Sequence, residues 1–265
     1  MNINAKIWMN FKTNRLNILF QGAILLAGLL VINIVIFGFD QRMLGDEYLW
    51  IKPIKFEVSV MMHFMTLAVL ATLLTFRFRE SKSWGIWSYA VVIAGLFEVL
   101  YIFLQAARGR ESHFNKNTQI EEILYGLMGV GAVVLVGASF YLGYKLYREY
   151  QVNRNDPLLL SCALGLMLGS ILTLIIAGYL SSVGGEGISN DPNSSIRVPF
   201  FGWYLNGQDI RIPHFFATHM MQIMPFIGWW LLRSNTVASV CIKQIKIIAL
   251  LISISVFGLF CLNFF

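Results

Sequence analysis

Long apolar runs alternate with short polar segments along this chain, and a helical period rather than a period of two organises what polar positions the runs contain. Apolar stretches occupy roughly 18–39, 53–76, 84–107, 121–147, 157–180, 214–232 and 246–265. Each is close to the about 17 to 25 residues that carry a helix across hydrocarbon. A backbone crossing lipid must satisfy its own hydrogen bonds, so the pattern predicts an all-α, polytopic transmembrane bundle of seven helices. The expected layout is a basic cytoplasmic or interfacial segment over 1–17, then one seven-helix membrane domain over 18–265 with a long outer loop at 181–213. Ile7, Trp8, Met9 and Phe11 among Lys6, Lys12 and Arg15 suit a stretch lying on the membrane surface. The first run lacks a small-x-small cleavage site and is too long for a signal peptide, so it is expected to remain as the first span.

Local signals mark several helix starts. Pro53 stands at an early helical position, and Asp156-Pro157 reads as an N-cap followed by proline. Thr118 with Glu121 is a capping box, and Glu122 in the same turn suits the helix dipole. Gly126, Gly129, Gly131 and Gly137 predict close helix approach in the fourth span, and Gly165 with Gly169 forms a small-xxx-small packing pair in the fifth. Asn33 in the first span is expected to make an interhelical hydrogen bond.

Polar residues inside the spans locate the candidate chemistry. Glu98, Tyr101, Gln105 and Arg108 follow one another at spacings of three, four and three, which keeps them on one helical stripe. An acid at the depth of Glu98 costs about 2.5 to 3.5 kcal/mol on an insertion scale, so it must be paired, protonated or turned to a cavity. The loop that follows supplies Arg110, Glu111, Ser112, His113 and Asn115. Lys52 and Lys55 stand at a helix start, where the macrodipole opposes them. Lys55, Ser59 and His63 fall along one face, and Glu57 lies nearby. Beyond the long loop, whose Phe200, Phe201, Trp203 and Tyr204 read as an aromatic lid, come Asp209, Arg211, His214, His219 and Gln222. The candidate ligand-binding set is therefore Lys52, Lys55, His63, Glu98, Gln105, Arg108, Ser112, His113, Asn115, Asp209, Arg211, His214 and His219.

Composition and charge narrow the class. Hydrophobic residues make up 57% of the 265 and charged ones 13%, with a mean hydropathy of +0.66, far from the soluble range of about 25% charged. Twelve of the 20 lysines and arginines fall on the N-terminal side of the expected spans: Lys6, Lys12, Arg15, Arg77, Arg79, Lys82, Lys145, Arg148, Arg154, Arg233, Lys243 and Lys246. Facing them are Glu80, Glu149 and Asp156. The positive-inside rule then puts the N-terminus inside and the C-terminus outside. The formal net charge of +6 is read as topology, with no nucleic-acid partner. Cys162, Cys241 and Cys261 are odd in number and widely spaced, which supports neither a disulfide framework nor a thiolate metal site.

The segments K-P-I-K-F, Q-A-A-R-G-R-E-S-H-F-N, Y-G-L-M-G and G-Q-D-I-R-I-P-H-F-F-A-T-H-M-M-Q resemble those of an uncharacterised family of bacterial seven-helix integral membrane proteins. The likeness spans roughly residues 50–225, and Asn206-Gly207-Gln208 departs from it where a second glycine is expected before the Asp. By that resemblance Lys52, Lys55, Gln105, Arg108, Ser112, His113, Asn115, Asp209, Arg211, His214 and His219 are family motif positions, and a multi-pass place in the bacterial cytoplasmic (inner) membrane is implied. It implies no activity. From the residues, the expected function is an extracytoplasmic-side polar pocket for an amphipathic or anionic small molecule or lipid, with enzymatic modification of it left open. One alternative is a metal- or haem-dependent membrane enzyme using His63, His219 and Glu98, a set that with Ser59 resembles the zinc site of seven-helix hydrolases. His214 and His219 are five apart and do not match the i, i+4 chelating pair, so no cofactor is predicted. A small-solute transporter with a three-one-three helix repeat is the other alternative, on the likeness of Ile51-Lys52-Pro53 to Arg211-Ile212-Pro213.

Overall fold

The computed structural model describes residues 14–184, 198–204, 209–234 and 237–264. The interfacial stretch before residue 14, the glycine-rich half of the long loop at 185–197 and the Asn206-Gly207-Gln208 departure lie outside the described residues. Among the described residues are eight α-helices: α1 Asn14–Phe39, α2 Ile51–Ala71, α3 Phe76–Arg79, α4 Lys82–Ala107, α5 Gln119–Val152, α6 Pro157–Ser182, α7 Arg211–Arg233 and α8 Ala238–Cys261. A single 3-10 turn, Leu262–Phe264, follows α8.

Six helices, all but α3 and α7, are long and apolar enough to cross a bilayer, the character of a multi-pass integral membrane protein. The expected 214–232 span does form a helix, but Arg211, His214, His219, Gln222 and Arg233 hold α7 below the apolarity of the others. Its apolar side is a stripe of Pro213, Ala217, Met220, Met221, Met224, Gly228 and Leu231, all buried, the spacing of an amphipathic helix. Two boundaries differ from the sequence reading. α2 ends at Ala71 rather than near 76, because Thr75 caps the short helix α3 through Phe78 N–H. α8 begins at Ala238, not near 246, and takes Lys243 and Lys246 into its first turns, where long stems let the ammonium groups stay at the edge. α5 has 34 residues, about 51 Å at 1.5 Å per residue, well beyond the about 30 Å of hydrocarbon.

The chain divides into two compact units, residues 1–138 and 139–265, with α5 running through the boundary. In the first unit α1, α2 and α4 pack on one another. Phe64 of α2, fully buried, is the wedge between them. A Cβ on Gly22 of α1 would come within 2.9 Å of its ring, and one on Gly95 of α4 within 2.7 Å. The connection between α1 and α2 is not a plain loop. It contains a two-stranded hairpin, β1 Met43–Leu44 with β2 Glu47–Tyr48, turned by Gly45 at φ +59°, a conformation that glycine adopts without steric cost. Ser81 caps α4 through Trp84 N–H at 3.2 Å.

In the second unit α6 and α7 lie unusually close. A Cβ on Gly228 would stand 2.4 Å from Ser161 Cβ, and one on Gly165 2.6 Å from Met224 Cβ. Pro225 sits inside α7 and removes one helical N–H donor. Beside it Ser161 donates its hydroxyl to the Met224 carbonyl. The expected Gly165/Gly169 packing pair is thus realised, with Gly169 against Met221 and the Ala217 carbonyl. α8 closes the unit through a cluster of Ile176, Ile210, Ala217, Val256 and Phe260. Asp156 caps α6 by accepting from Leu158 and Leu159 N–H, with Pro157 at the first position, as read from the sequence.

Candidate functional site

In the first unit the predicted residues gather where α4 ends and α5 begins, and Gln105 is their hub. Its Nε2 donates to the Tyr101 hydroxyl (3.2 Å), the Glu111 carbonyl (3.0 Å) and Glu121 Oε1 (3.2 Å), while its Oε1 accepts from Arg108 Nη1 (3.0 Å). Glu121 is buried. It accepts from Arg110 Nη1 at 2.9 Å and from the Thr118 hydroxyl at 3.0 Å, and its N–H is capped by Thr118 Oγ1 at 3.2 Å. Of the predicted capping box the Thr118 cap on Glu121 N–H is made, while the Glu121 carboxylate takes the Thr118 hydroxyl in place of its backbone N–H and also anchors the preceding loop through Arg110.

That loop is pinned by its own polar groups. Asn115 donates to the Glu111 carbonyl at 2.9 Å and accepts from Asn117 N–H at 3.0 Å. Gly109 takes φ +66° and Phe114 φ +59°, the latter uncommon for a bulky residue. Buried Ser112 has its Oγ 3.1 Å from His113 Nδ1. The imidazole sits among three rings, Phe56 at 5.2 Å, Tyr125 at 6.1 Å and Phe114 at 6.3 Å between centroids. At the surface of this network Arg108, Arg110 and Lys116 are exposed. Arg110 is tied to Glu121, whereas Arg108 and Lys116 have no carboxylate partner among the described residues.

The two lysines that oppose the α2 dipole each have an acid to meet. Lys55 is ion-paired to Glu47 of the hairpin. Lys52 interacts electrostatically with Glu98 of α4, so Glu98 meets a cation while burying all but 7% of its surface. His63 is half-buried on the same side of α2. The hairpin end carries a further acid the sequence reading passed over. Asp40 accepts from Arg42 at 2.7 Å and from Trp50 Nε1 at 2.8 Å, and Arg42 also reaches the Ala107 carbonyl at 3.2 Å. The Arg42 guanidinium, and next the Trp50 indole, hold the Asp40 carboxyl well below the usual carboxylate range.

Glu57, noted in the sequence but left out of the candidate ligand-binding set, is the most deeply buried acid among the described residues. It has no exposed surface and lies on the packed stripe of α2 with Pro53, Val60, Phe64 and Leu67. Asn33 of α1, also fully buried, donates Nδ2 to both Glu57 oxygens at 3.1 Å. The interhelical hydrogen bond expected of Asn33 is thus made, and its partner is an acid. The signal was present: spacings of four, three and four from Pro53 through Val60 to Phe64 put Glu57 inside the apolar stripe, a costly place for an acid.

In the second unit Asp209 and Arg211 answer each other. Asp209 Oδ1 accepts from Arg211 Nε at 2.8 Å and its Oδ2 from Nη2 at 2.6 Å and from Tyr204 N–H at 3.0 Å. Arg211 also reaches the Gly202 carbonyl at 2.8 Å and lies 5.8 Å from the Tyr204 ring centroid. This bidentate pair staples the end of the long loop to the first turn of α7. The aromatic segment folds onto that turn: Phe201 stacks on Trp203 at 4.4 Å and both meet Phe215. His219 packs under Phe215 at 4.2 Å and interacts with Gln222. His214 Nδ1 is buried without a hydrogen-bond partner among the described residues. Nowhere among the described residues do three His, Cys, Asp or Glu side chains gather as a metal site, which leaves the His63, Glu98 and His219 alternative without support. Comparison with models of protein families, with curated proteins and with solved structures finds no match.

Proposed function

We propose that this chain is a seven-span protein of the bacterial inner membrane, N-terminus inside, that binds an amphipathic molecule with an anionic head at its extracytoplasmic side. Counting α7 as the seventh span and placing the α4–α5 loop outside follow from the positive-inside reading of the basic residues. The resemblance to the bacterial seven-helix family belongs to the same reading. Arg108 is the observation that carries it: an exposed guanidinium at the end of a membrane helix, held by the neutral amide of Gln105 and unmatched by any carboxylate among the described residues. Lys55, Arg110 and Arg211 each have an acid in contact, so the anion-binding role narrows to Arg108, with the exposed Lys116 in the loop that follows it. Arginine presents a planar fork suited to phosphate or carboxylate.

Native mass spectrometry of the purified protein with anionic phospholipid tests this. Arg108→Ala should lose retained anionic lipid tenfold or more, since a hydrogen bond to a charged group is worth about 1.5 to 3 kcal/mol. His113→Ala should lose less. Equal retention by folded Arg108→Ala and wild-type protein would defeat the reading. Metal analysis of the same sample addresses the metal- or haem-dependent alternative, and solute counterflow in proteoliposomes addresses the transporter.

A further inference from the structure

We infer that Glu57 and Asn33 form a proton-binding site within the membrane part of the first unit. Asn33 lies six residues before the end of α1 and Glu57 six after the start of α2, so each is about 9 Å along its helix from that end. Both are fully buried. No cation is paired with Glu57 among the described residues. The charged and titratable groups of the surrounding elements are otherwise engaged or distant in sequence. α1 carries none between Arg15 and Asp40. From α4 comes Glu98, which interacts with Lys52, and on α2 itself stand Lys52, Lys55 in its pair with Glu47, and His63.

The amide opposite Glu57 is half used. Asn33 Nδ2 donates to both carboxyl oxygens, while Oδ1 is buried with no hydrogen-bond partner among the described residues. A buried acceptor left unmade costs about 1 to 3 kcal/mol. A proton on Glu57 offers that oxygen a donor. Turning the amide by half a rotation, which exchanges its oxygen and nitrogen, brings Asn33 Oδ1 to the place of Nδ2, where the carboxylic O–H donates to it. In the proton-free state the carboxylate accepts Nδ2–H at both oxygens. Binding forms one O–H bond with a proton taken from water, and release returns it, with no electron transfer. Asn33 is thus a partner suited to both states, where a lysine or arginine would suit one.

Infrared spectroscopy of the full chain in lipid, titrated with pH, decides the matter. The wild-type protein should show a protonated-carboxyl C=O band that changes with pH, disappears in Glu57→Gln and persists in Glu98→Gln. Asn33→Val should shift it to higher frequency by removing its hydrogen bond. A band lost in Glu98→Gln instead, or a Glu57→Gln titration identical to wild type, overturns the proposal. Should Glu57→Gln fail to fold, Asn33→Val decides alone: a shifted band supports the pair, and an unshifted one overturns it.

Discussion

Asp40 shows how much a single side chain does at the edge of the membrane helices. One carboxylate takes the Arg42 fork and the Trp50 indole, and so joins the end of α1 to the start of α2. Its folded-state proton affinity is lowered, chiefly by Arg42, so its contribution to stability is complete above the unfolded value of about 3.9 and fades as pH falls through the lower folded value. Thermal unfolding of detergent-solubilised protein should therefore show wild type losing stability below about pH 4, with Asp40→Asn losing less over the same window. A parallel pH dependence in both proteins would remove Asp40 from that role. Gln105 was legible from its place on the Glu98 stripe, but its use was not. Three donated contacts and one accepted one make it a clamp for the loop, which no spacing rule distinguishes from a ligand contact.

Helix packing sorts the glycines into two kinds. Gly165 and Gly228 have no room for a side chain, whereas a Cβ on Gly126 or Gly129 would meet no neighbouring element within 4 Å among the described residues. The glycine-rich stretch of α5 is therefore only partly a packing surface: a Cβ on Gly137 would stand 3.2 Å from the Trp87 ring, and one on Gly131 an ordinary 3.6 Å from Ala94. Overpacking costs about 1 to 3 kcal/mol, so Gly228→Val should lower the unfolding midpoint clearly. Gly126→Ala and Gly129→Ala should leave it unchanged or raise it, by up to about 1 kcal/mol each from helix propensity. Denaturation midpoints of the three variants provide the check, and equal losses in all three would contradict this assignment. Gly22 and Gly95, which admit Phe64, lack any small-xxx-small partner in sequence, and it takes the packed helices to show that one ring uses both.

At the scale of the whole molecule the basic residues set the expected orientation. Reporter fusions after Phe265 should give periplasmic activity, and fusions in the 77–82 turn cytoplasmic activity. The opposite readout would move the Arg108 loop to the inner face and the proposed ligand with it. α7 matters most to this count. Its polar residues lower its hydropathy, but Asp209 with Arg211, and His219 with Gln222, give those groups partners within the unit, and its apolar stripe is covered by α6 and α8.

Composition and run length alone determined that this is an all-α membrane protein, because hydrocarbon tolerates only self-satisfied backbone and long apolar segments. Local chemistry determined the caps at Asp156 and Thr118, since those bonds close within three residues. Pairing across distance was decided only by tertiary structure. That Lys55 belongs to Glu47, Lys52 to Glu98, and Asn33 to Glu57 depends on which helix faces meet. A polar stripe in the sequence looks the same whether its groups await a ligand or satisfy one another.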